Sequence, residues 1–381
     1  MIRKLLVTLL CLIFLGASAQ TASTNTQPDL KYKIGQMLML GFKATALQPN
    51  DSITQDILAQ RVGGVILFAK QFLTKDINNI ENPAQLQQLT QSLQGYAKQA
   101  AIQNHNQLYP LLIGIDYEGG LVNQLKENMG FPKTVPVADV AKGSLANADQ
   151  IASQMAQTLK RAGINLDFAP VLDVNVNPNN PIIAKYKRSF SDDPQQVARY
   201  ARVYDQAFHR AGILCAYKHF PGHGSSTGDS HKELVDISKT WKSYELDPYR
   251  ILFNQPDSCE FVMVGHLINR QLDPSGMPGT LSYAMMTQVL RQQLHFSGVI
   301  ITDDLQMNAI HKQYTLEQTV RAAINGGADI LLFGNQLVPT PQTAQQLIDI
   351  IYQDVQDGKI SEARIDEAYQ HIMQIKARLK A

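Results

Sequence analysis

The sequence has almost no net charge. In 381 residues it sets 34 Lys and Arg against 33 Asp and Glu, a balance of +1. No long basic or acidic run breaks that balance, so nothing in the chain is built to grip nucleic acid or an anionic membrane surface. Cysteine is scarce, at three residues. Cys11 lies inside an N-terminal apolar stretch and not after a small-residue lipobox, which argues against a lipoprotein. Cys215 and Cys259 leave two readings open. Export would permit a disulfide, and the apolar run around Cys215 suits a buried free thiol. Beyond residue 29 there is no low-complexity linker, no second composition regime and no apolar run long enough to span a bilayer. No G-x-G-x-x-G follows the first apolar run, which weakens a dinucleotide-binding reading.

What is present begins at the N-terminus. Arg3 and Lys4 form a short basic region, residues 5–15 are apolar, and Ala17-Ser18-Ala19 gives an A-x-A pattern. That layout is a secretory signal peptide over residues 1–19, cleaved after Ala19; a retained anchor is the alternative. Residues 20–29 are polar, with several Thr and Asn, and read as a flexible tether. The mature chain is expected in a periplasm or outside the cell, without stable membrane association.

Residues 30–381 read as one domain. Hydrophobic residues make up 44% of the chain, enough for a large core. Eight short apolar runs bounded by Gly, Pro or polar residues read as strands: 37–42, 65–68, 111–115, 164–168, 213–217, 261–264, 299–302 and 330–333. Helical periodicity lies between most of them. Residues 316–325 start after Thr315, with Gln318 completing a capping box, and stop at Gly326-Gly327. Residues 365–379 carry Ile365, Ala368, Ile372, Ile375 and Leu379 on one stripe. Alternating strands and helices mean a parallel sheet. Eight units with strands buried on both faces predict a single (β/α)8 TIM-type barrel, with a doubly wound open sheet as the rival.

Polar residues gather at the ends of those strands. Asp116, Asp173, Lys218-His219, His266, Asp303-Asp304 and Asn335 follow them directly, and barrel enzymes work at that rim. Some would serve only as helix caps. The densest stretch is Lys218-His219-Phe220-Pro221-Gly222-His223-Gly224, leading to Asp229-Ser230-His231. Its glycines let the backbone turn sharply, and Asp-x-His lets a carboxylate orient an imidazole and support its charged form. Thr302-Asp303-Asp304 ends a strand in two acids, one of which can be a nucleophile or base. Asp116-Tyr117-Glu118-Gly119-Gly120 sets carboxylates beside an aromatic, a surface suited to sugars.

These motifs, with Ile34-Gly35-Gln36-Met37, Phe168-Ala169-Pro170-Val171-Leu172-Asp173-Val174 and Arg188-Ser189-Phe190, resemble glycoside hydrolase family 3. The loop ending in Asp229-Ser230-His231 is similar to that of its single-domain β-N-acetylglucosaminidase branch. The resemblance covers residues 34–379. It implies a retaining exo-β-N-acetylglucosaminidase acting on peptidoglycan fragments or chitin-type oligosaccharides. Asp303 would be the nucleophile, and His231 held by Asp229 the acid/base. Asp116, Arg188, Lys218, His219 and Gln124 would bind substrate. No cofactor or metal is implied, and a monomer is the default. The chain departs from the branch at Gln124 and Leu121, where basic residues are usual. Gln124 lacks the charge and fork of Arg, which bears on sugar or aglycone preference. Export is a second departure from the commonly cytoplasmic recycling enzymes.

Three other readings stay open on the residues alone. An imidazole tolerates an anionic acceptor better than a carboxylate does, so a phosphorylase fits the same site. His219 and His223 are spaced H-x3-H, which can bind zinc, although Pro221-Gly222 between them breaks a common helical face. A sugar-binding protein without turnover is the third.

Overall fold

The computed structural model describes residues 28–230 and 232–379. The expected signal peptide, residues 20–27 of the tether and His231 lie outside the described residues. The Asp29 carboxylate accepts from the Lys31 amide at 3.2 Å and caps the first helix, Leu30–Gln36.

The eight apolar runs form eight parallel strands: β1 Leu38–Gly41, β2 Gly64–Ile66, β3 Leu112–Ile115, β4 Leu166–Asp167, β5 Leu214–Phe220, β6 Phe261–Val264, β7 Val299–Thr302 and β8 Leu331–Phe333. Each of β1 to β6 pairs with the next in sequence, and β8 returns to pair with β1, Leu38 opposite Leu331. The fold is a (β/α)8 TIM-type barrel. Between β7 and β8 the ladder thins to one bridge, Ile301 to Ile330. The β5 strand overruns its expected end by three residues and carries Lys218 and His219 to the rim.

The barrel interior is filled, as apolar strands require. Phe168 reaches so far across that a Cβ on Gly114 would lie 2.8 Å from its ring. Outside the strands, Pro194–Ala211 buries Val197, Ala201, Tyr204 and Phe208 on one face. The helix after Thr315 runs Leu316–Gly326 with the capping box formed, and Gly327 ends it at φ 119°. The last helix spans Glu362–Lys376, earlier than the 365–379 stripe suggests, because the Ser361 hydroxyl accepts from the Arg364 amide and fixes its start. Among the described residues no helix is long and apolar enough to cross a membrane.

Two features mark the N-terminal rim. Cys215, at the start of β5, and Cys259, just before β6, are joined in a disulfide with Cα atoms 4.9 Å apart. The choice left open by the sequence is settled by strand neighbourhood. At the thin β7–β8 seam, buried Asp329 accepts from Arg364 at 2.6 Å, from His371 at 3.1 Å, from the Ile300 amide at 2.9 Å, and from Arg291. Burial would raise this carboxyl, but His371 and the two arginines hold it below its ordinary value.

Candidate active site

The C-terminal rim collects one interlocked set of charges. Asp116 stands at the end of β3, and Tyr117–Gly119 continues as a short extended piece paired with Val122–Asn123. In extended backbone alternate residues share a face, so Asp116 and Glu118 point the same way. Lys218 on β5 meets both, its Nζ 2.6 Å from Asp116 Oδ1 and 2.6 Å from Glu118 Oε1. Arg188 donates to both Glu118 oxygens, at 2.7 and 2.6 Å, in a bidentate pair. Burial alone would raise the Glu118 carboxyl, but Arg188 and Lys218 overcome it and hold it at about 2. Burial would likewise lower Lys218, yet Asp116 and Glu118 leave it above its ordinary value.

His219 joins the set from the other side. Its Nδ1 lies 2.7 Å from Asp173 Oδ2, and Arg188 approaches its Nε2 at 3.2 Å. A carboxylate on one nitrogen and a guanidinium donor on the other fix the tautomer, with the proton on Nδ1. Asp173 also accepts from the His219 and His223 amides, at 3.2 and 2.7 Å. Burial would raise Asp173, but the two histidines hold it low. Asp116 is the part-exposed member, at 24% of its side chain, while Lys218 is 2% exposed. The surface therefore offers a carboxylate acceptor backed by an ammonium and a guanidinium, the pairing that holds adjacent hydroxyl groups.

Asp303 follows β7 on the same rim. Its amide donates to Val264 O at 3.0 Å, and the Gly265 amide donates to Phe220 O at 2.9 Å. The ends of β5, β6 and β7 thus run side by side, and Asp303 is set two strands from His219. The Asp304 amide donates to Asp303 Oδ1 at 2.8 Å. Asp304 turns away, accepting from Gln306 and Gly334 amides. His266 braces that turn, with Nε2 2.8 Å from Asp304 O and Nδ1 2.7 Å from the Thr280 hydroxyl.

The loop after β5 is pinned along its stem. Trp241 donates to Pro221 O at 3.0 Å, Asn180 to His223 O at 2.8 Å, and the Ser225 amide to Glu245 at 3.3 Å. Gly224 presses on the β4 loop so closely that a Cβ would sit 1.6 Å from Val174 O. His223 is buried between two hydroxyls, Ser226 at 2.7 Å and Ser230 at 3.1 Å. Burial pushes it down to about 4, so it is a neutral brace.

Residues 29–375 match the glycosyl hydrolase family 3 N-terminal domain. The chain is 33% identical over 362 residues to Beta-hexosaminidase A of Pseudoalteromonas piscicida, an alignment covering 83% of this chain and 54% of that protein. It is 33% identical over 306 residues to the Beta-hexosaminidase of Idiomarina loihiensis, covering 78% of this chain and 83% of that one. The chain belongs to glycosyl hydrolase family 3. Among solved structures, the family 3 β-N-acetylglucosaminidase of Paenibacillus sp. superposes with a TM-score of 0.81 at 32% identity, over 92% of this chain and 62% of that one. The β-N-acetylhexosaminidase of Beutenbergia cavernae superposes at 0.79 with 25% identity, over 93% of this chain and all of that one. This family 3 chain thus spans about half the length of the Pseudoalteromonas protein and nearly two thirds of the Paenibacillus chain.

Within this family 3 barrel, Asp116, Arg188, Lys218 and His219 are brought together as expected. Asp303 shares their rim. Asp229 is part-exposed at the tip of the loop, where Lys232 Nζ lies 3.6 Å from its Oδ2; His231 lies outside the described residues. Gln124 borders the same rim, but its side-chain oxygen accepts from the Ala69 amide at 3.0 Å. That leaves only its Nε2 to face a ligand. Asn335 is a brace, with its amide on Gly41 O at 2.9 Å and its oxygen on Gln306 at 2.8 Å. The H-x3-H pair does not converge: each His219 and His223 nitrogen described above already has a partner.

The sequence set Glu118 beside an aromatic as a carboxylate suited to sugars, whereas it is the buried hub of the charge set. The i, i+2 spacing from Asp116 was the available signal. The anchoring of His219 by Asp173 had no local signal, since 46 residues separate them.

Proposed function

We propose that this chain is a retaining exo-β-N-acetylglucosaminidase, removing terminal β-linked N-acetylglucosamine from peptidoglycan fragments or chitin-type oligosaccharides. The observation that carries the reading is the state of the acids on the rim. Glu118 is buried and held ionised by Arg188 and Lys218, and Asp173 is buried and held low by its hydrogen bonds from His219 and His223, so neither stores a proton for a leaving group at neutral pH. A two-carboxylate glycosidase needs one raised carboxylic acid. Burial does raise Asp167 and Glu245, the latter to about 7, but both are fully buried and cannot meet a glycosidic oxygen. The role falls to the His231–Asp229 pair, an imidazolium being a competent acid near neutral pH.

In this reading Asp116, Lys218, Arg188 and His219 hold the sugar hydroxyls. Asp303 attacks the anomeric carbon and the leaving oxygen takes the His231 proton. His231 then deprotonates water, which releases the glycosyl group with retained configuration. The N-terminal Arg3-Lys4, the apolar residues 5–15 and Ala17-Ser18-Ala19 support export. The names of the similar proteins, β-hexosaminidases and β-N-acetylglucosaminidases, support the sugar.

The test compares 4-nitrophenyl β-N-acetylglucosaminide with the β-glucoside on the chain lacking residues 1–19. The N-acetyl substrate should win by orders of magnitude. Asp303→Asn should be silent, and His231→Ala should lose most on substrates with poor leaving groups. A wild type inactive on both substrates, or an Asp303→Asn variant that still turns over, refutes the proposal.

A further inference from the structure

The rim opposite the catalytic one holds a second cluster of reactive side chains. His209 lies near the end of the Pro194–Ala211 helix, Cys215 at the start of β5 and Glu260 just before β6. Their ligand atoms all lie within 4.8 Å of one another, and they are the one such trio among the described residues. Cys259, bonded to Cys215, brings a second sulfur to the same place. We propose that cleavage of the Cys215–Cys259 disulfide creates a tetrahedral site for a soft divalent cation, zinc first, with two thiolates, the His209 imidazole and the Glu260 carboxylate as ligands.

The distances support this. Zinc bonds of about 2.3 Å to sulfur and about 2.0–2.1 Å to nitrogen or oxygen imply tetrahedral edges of roughly 3.5 Å for S···N and roughly 3.3 Å for N···O. His209 Nε2 lies 3.6 Å from Cys215 Sγ and 3.2 Å from Glu260 Oε2. Imidazole and carboxylate therefore already stand at the separations a shared cation requires. The field around them is negative, since Asp205 and Asp257 act on His209 together with Glu260. Arg378 reaches the other Glu260 oxygen, Oε1, at 3.8 Å, which leaves Oε2 on the His209 side. The cysteines are buried, but His209 lines an open cavity of about 680 Å³ on this rim, with Ile213 and Arg378 beside it. A cation has a way in.

The chemistry balances with a dithiol as reductant. Two electrons pass to the Cys215–Cys259 bond, the dithiol closes into its own disulfide, and its two protons end on the cysteine sulfurs. Zinc binding then expels both protons to solvent as the thiolates coordinate. Bonded to each other, the sulfurs are poor ligands, so the site is closed in an oxidising compartment and opens in a reducing one.

The test uses cobalt(II) as a coloured stand-in for zinc. The purified chain is reduced with dithiothreitol, desalted under argon and titrated with cobalt(II), beside the oxidised chain. Reduced protein should bind one equivalent with intense thiolate-to-cobalt absorption in the near ultraviolet, and zinc should bleach it. Oxidised protein should show no such band. His209→Gln and Glu260→Gln, each reduced, should weaken binding about tenfold or more. The proposal is overturned by a reduced chain with no thiolate band, by a band indifferent to both substitutions, or by loss of the circular-dichroism signal on reduction. Binding equal in both redox states also overturns it, because the ligands would then lie elsewhere.

Discussion

Replacing Glu118 with Gln should cost the barrel several kcal/mol while changing almost no volume. The side chain neutralises two buried cations at once, Arg188 through two hydrogen bonds and Lys218 through a 2.6 Å contact. Lys218 would keep Asp116, but Arg188 would retain only the His219 nitrogen and a distant Ile182 carbonyl. Breaking a buried pair from one side typically costs about 3–5 kcal/mol. The ionisation of the carboxyl gives an independent figure. Its pKa falls from 4.5 to about 2 on folding, which at about 1.4 kcal/mol per unit is about 3 kcal/mol. A depressed carboxyl stabilises above its unfolded pKa and loses that contribution as pH falls through its folded one. The wild-type advantage should therefore be complete at neutral pH and shrink between about 4.5 and about 2. Urea denaturation can be followed through Trp241, the only tryptophan, which is buried against the loop after β5. The Glu118→Gln gap should be about 3–5 kcal/mol at neutral pH and about 1–1.5 kcal/mol near pH ~3. A gap below about 1 kcal/mol at neutral pH, or one that ignores pH, would refute the reasoning.

Three further outcomes follow from the same geometry. Gly224→Ala has no room beside Val174 O, so it should displace the loop, lower the urea midpoint and cut kcat/KM about a hundredfold; equal activity would sink the positioning role of the stem. Lys376 is buried with Gln36 as its partner, and burial pushes it down to about 7. The unfolded chain binds this proton more tightly, so Lys376→Met should stabilise below about pH 7 by on the order of 3–5 kcal/mol, and the gain should fade towards pH ~10, as read by melting temperature across pH. Phe72, Leu73 and Leu121 are half or more exposed on loops after β2 and β3, and Phe72 is held from behind by Gln336 on its amide. Phe72→Ala should raise KM for oligosaccharides and leave 4-nitrophenyl substrates unchanged; a uniform effect would count against an aglycone contact there.

How much of this was legible in the sequence depended on how local the cause was. Strands β6 and β7 matched their expected bounds because apolar runs flanked by polar residues and glycine set their own limits. The Thr315 cap was legible for the same reason, its partner Gln318 being one turn away. The Ser361 cap was passed over because an apolar stripe marks the buried face of a helix and not its first turn. Asp116, Lys218 and His219 could be assigned to one rim from strand ends alone. What joins them could not: Glu118 meets Arg188 across 70 residues, and that contact exists only once the barrel closes. The Cys215–Cys259 bond was undecided because neighbouring strands, not spacing, bring the sulfurs together. Asn335 looked like a pocket residue by position, but its φ of 53° turns it into the β1–β8 joint.

The thin seam gives the barrel an uneven circumference. Elsewhere around the ring, neighbouring strands are sewn by hydrogen-bonded ladders that no ordinary pH disturbs. Between β7 and β8 the ladder is one bridge, helped by the Leu305 amide on Leu332 O, above a carboxylate gripped by two arginines and a histidine. Protonating Asp329 would loosen this fastener while leaving every ladder intact, so at the N-terminal rim acid acts on the ring at this seam. That point lies at the foot of β7, the strand whose far end carries Asp303. The footing of the Asp303 strand is thus electrostatic, and an acid-tolerant version of this barrel would have to be rebuilt at the end opposite Asp303.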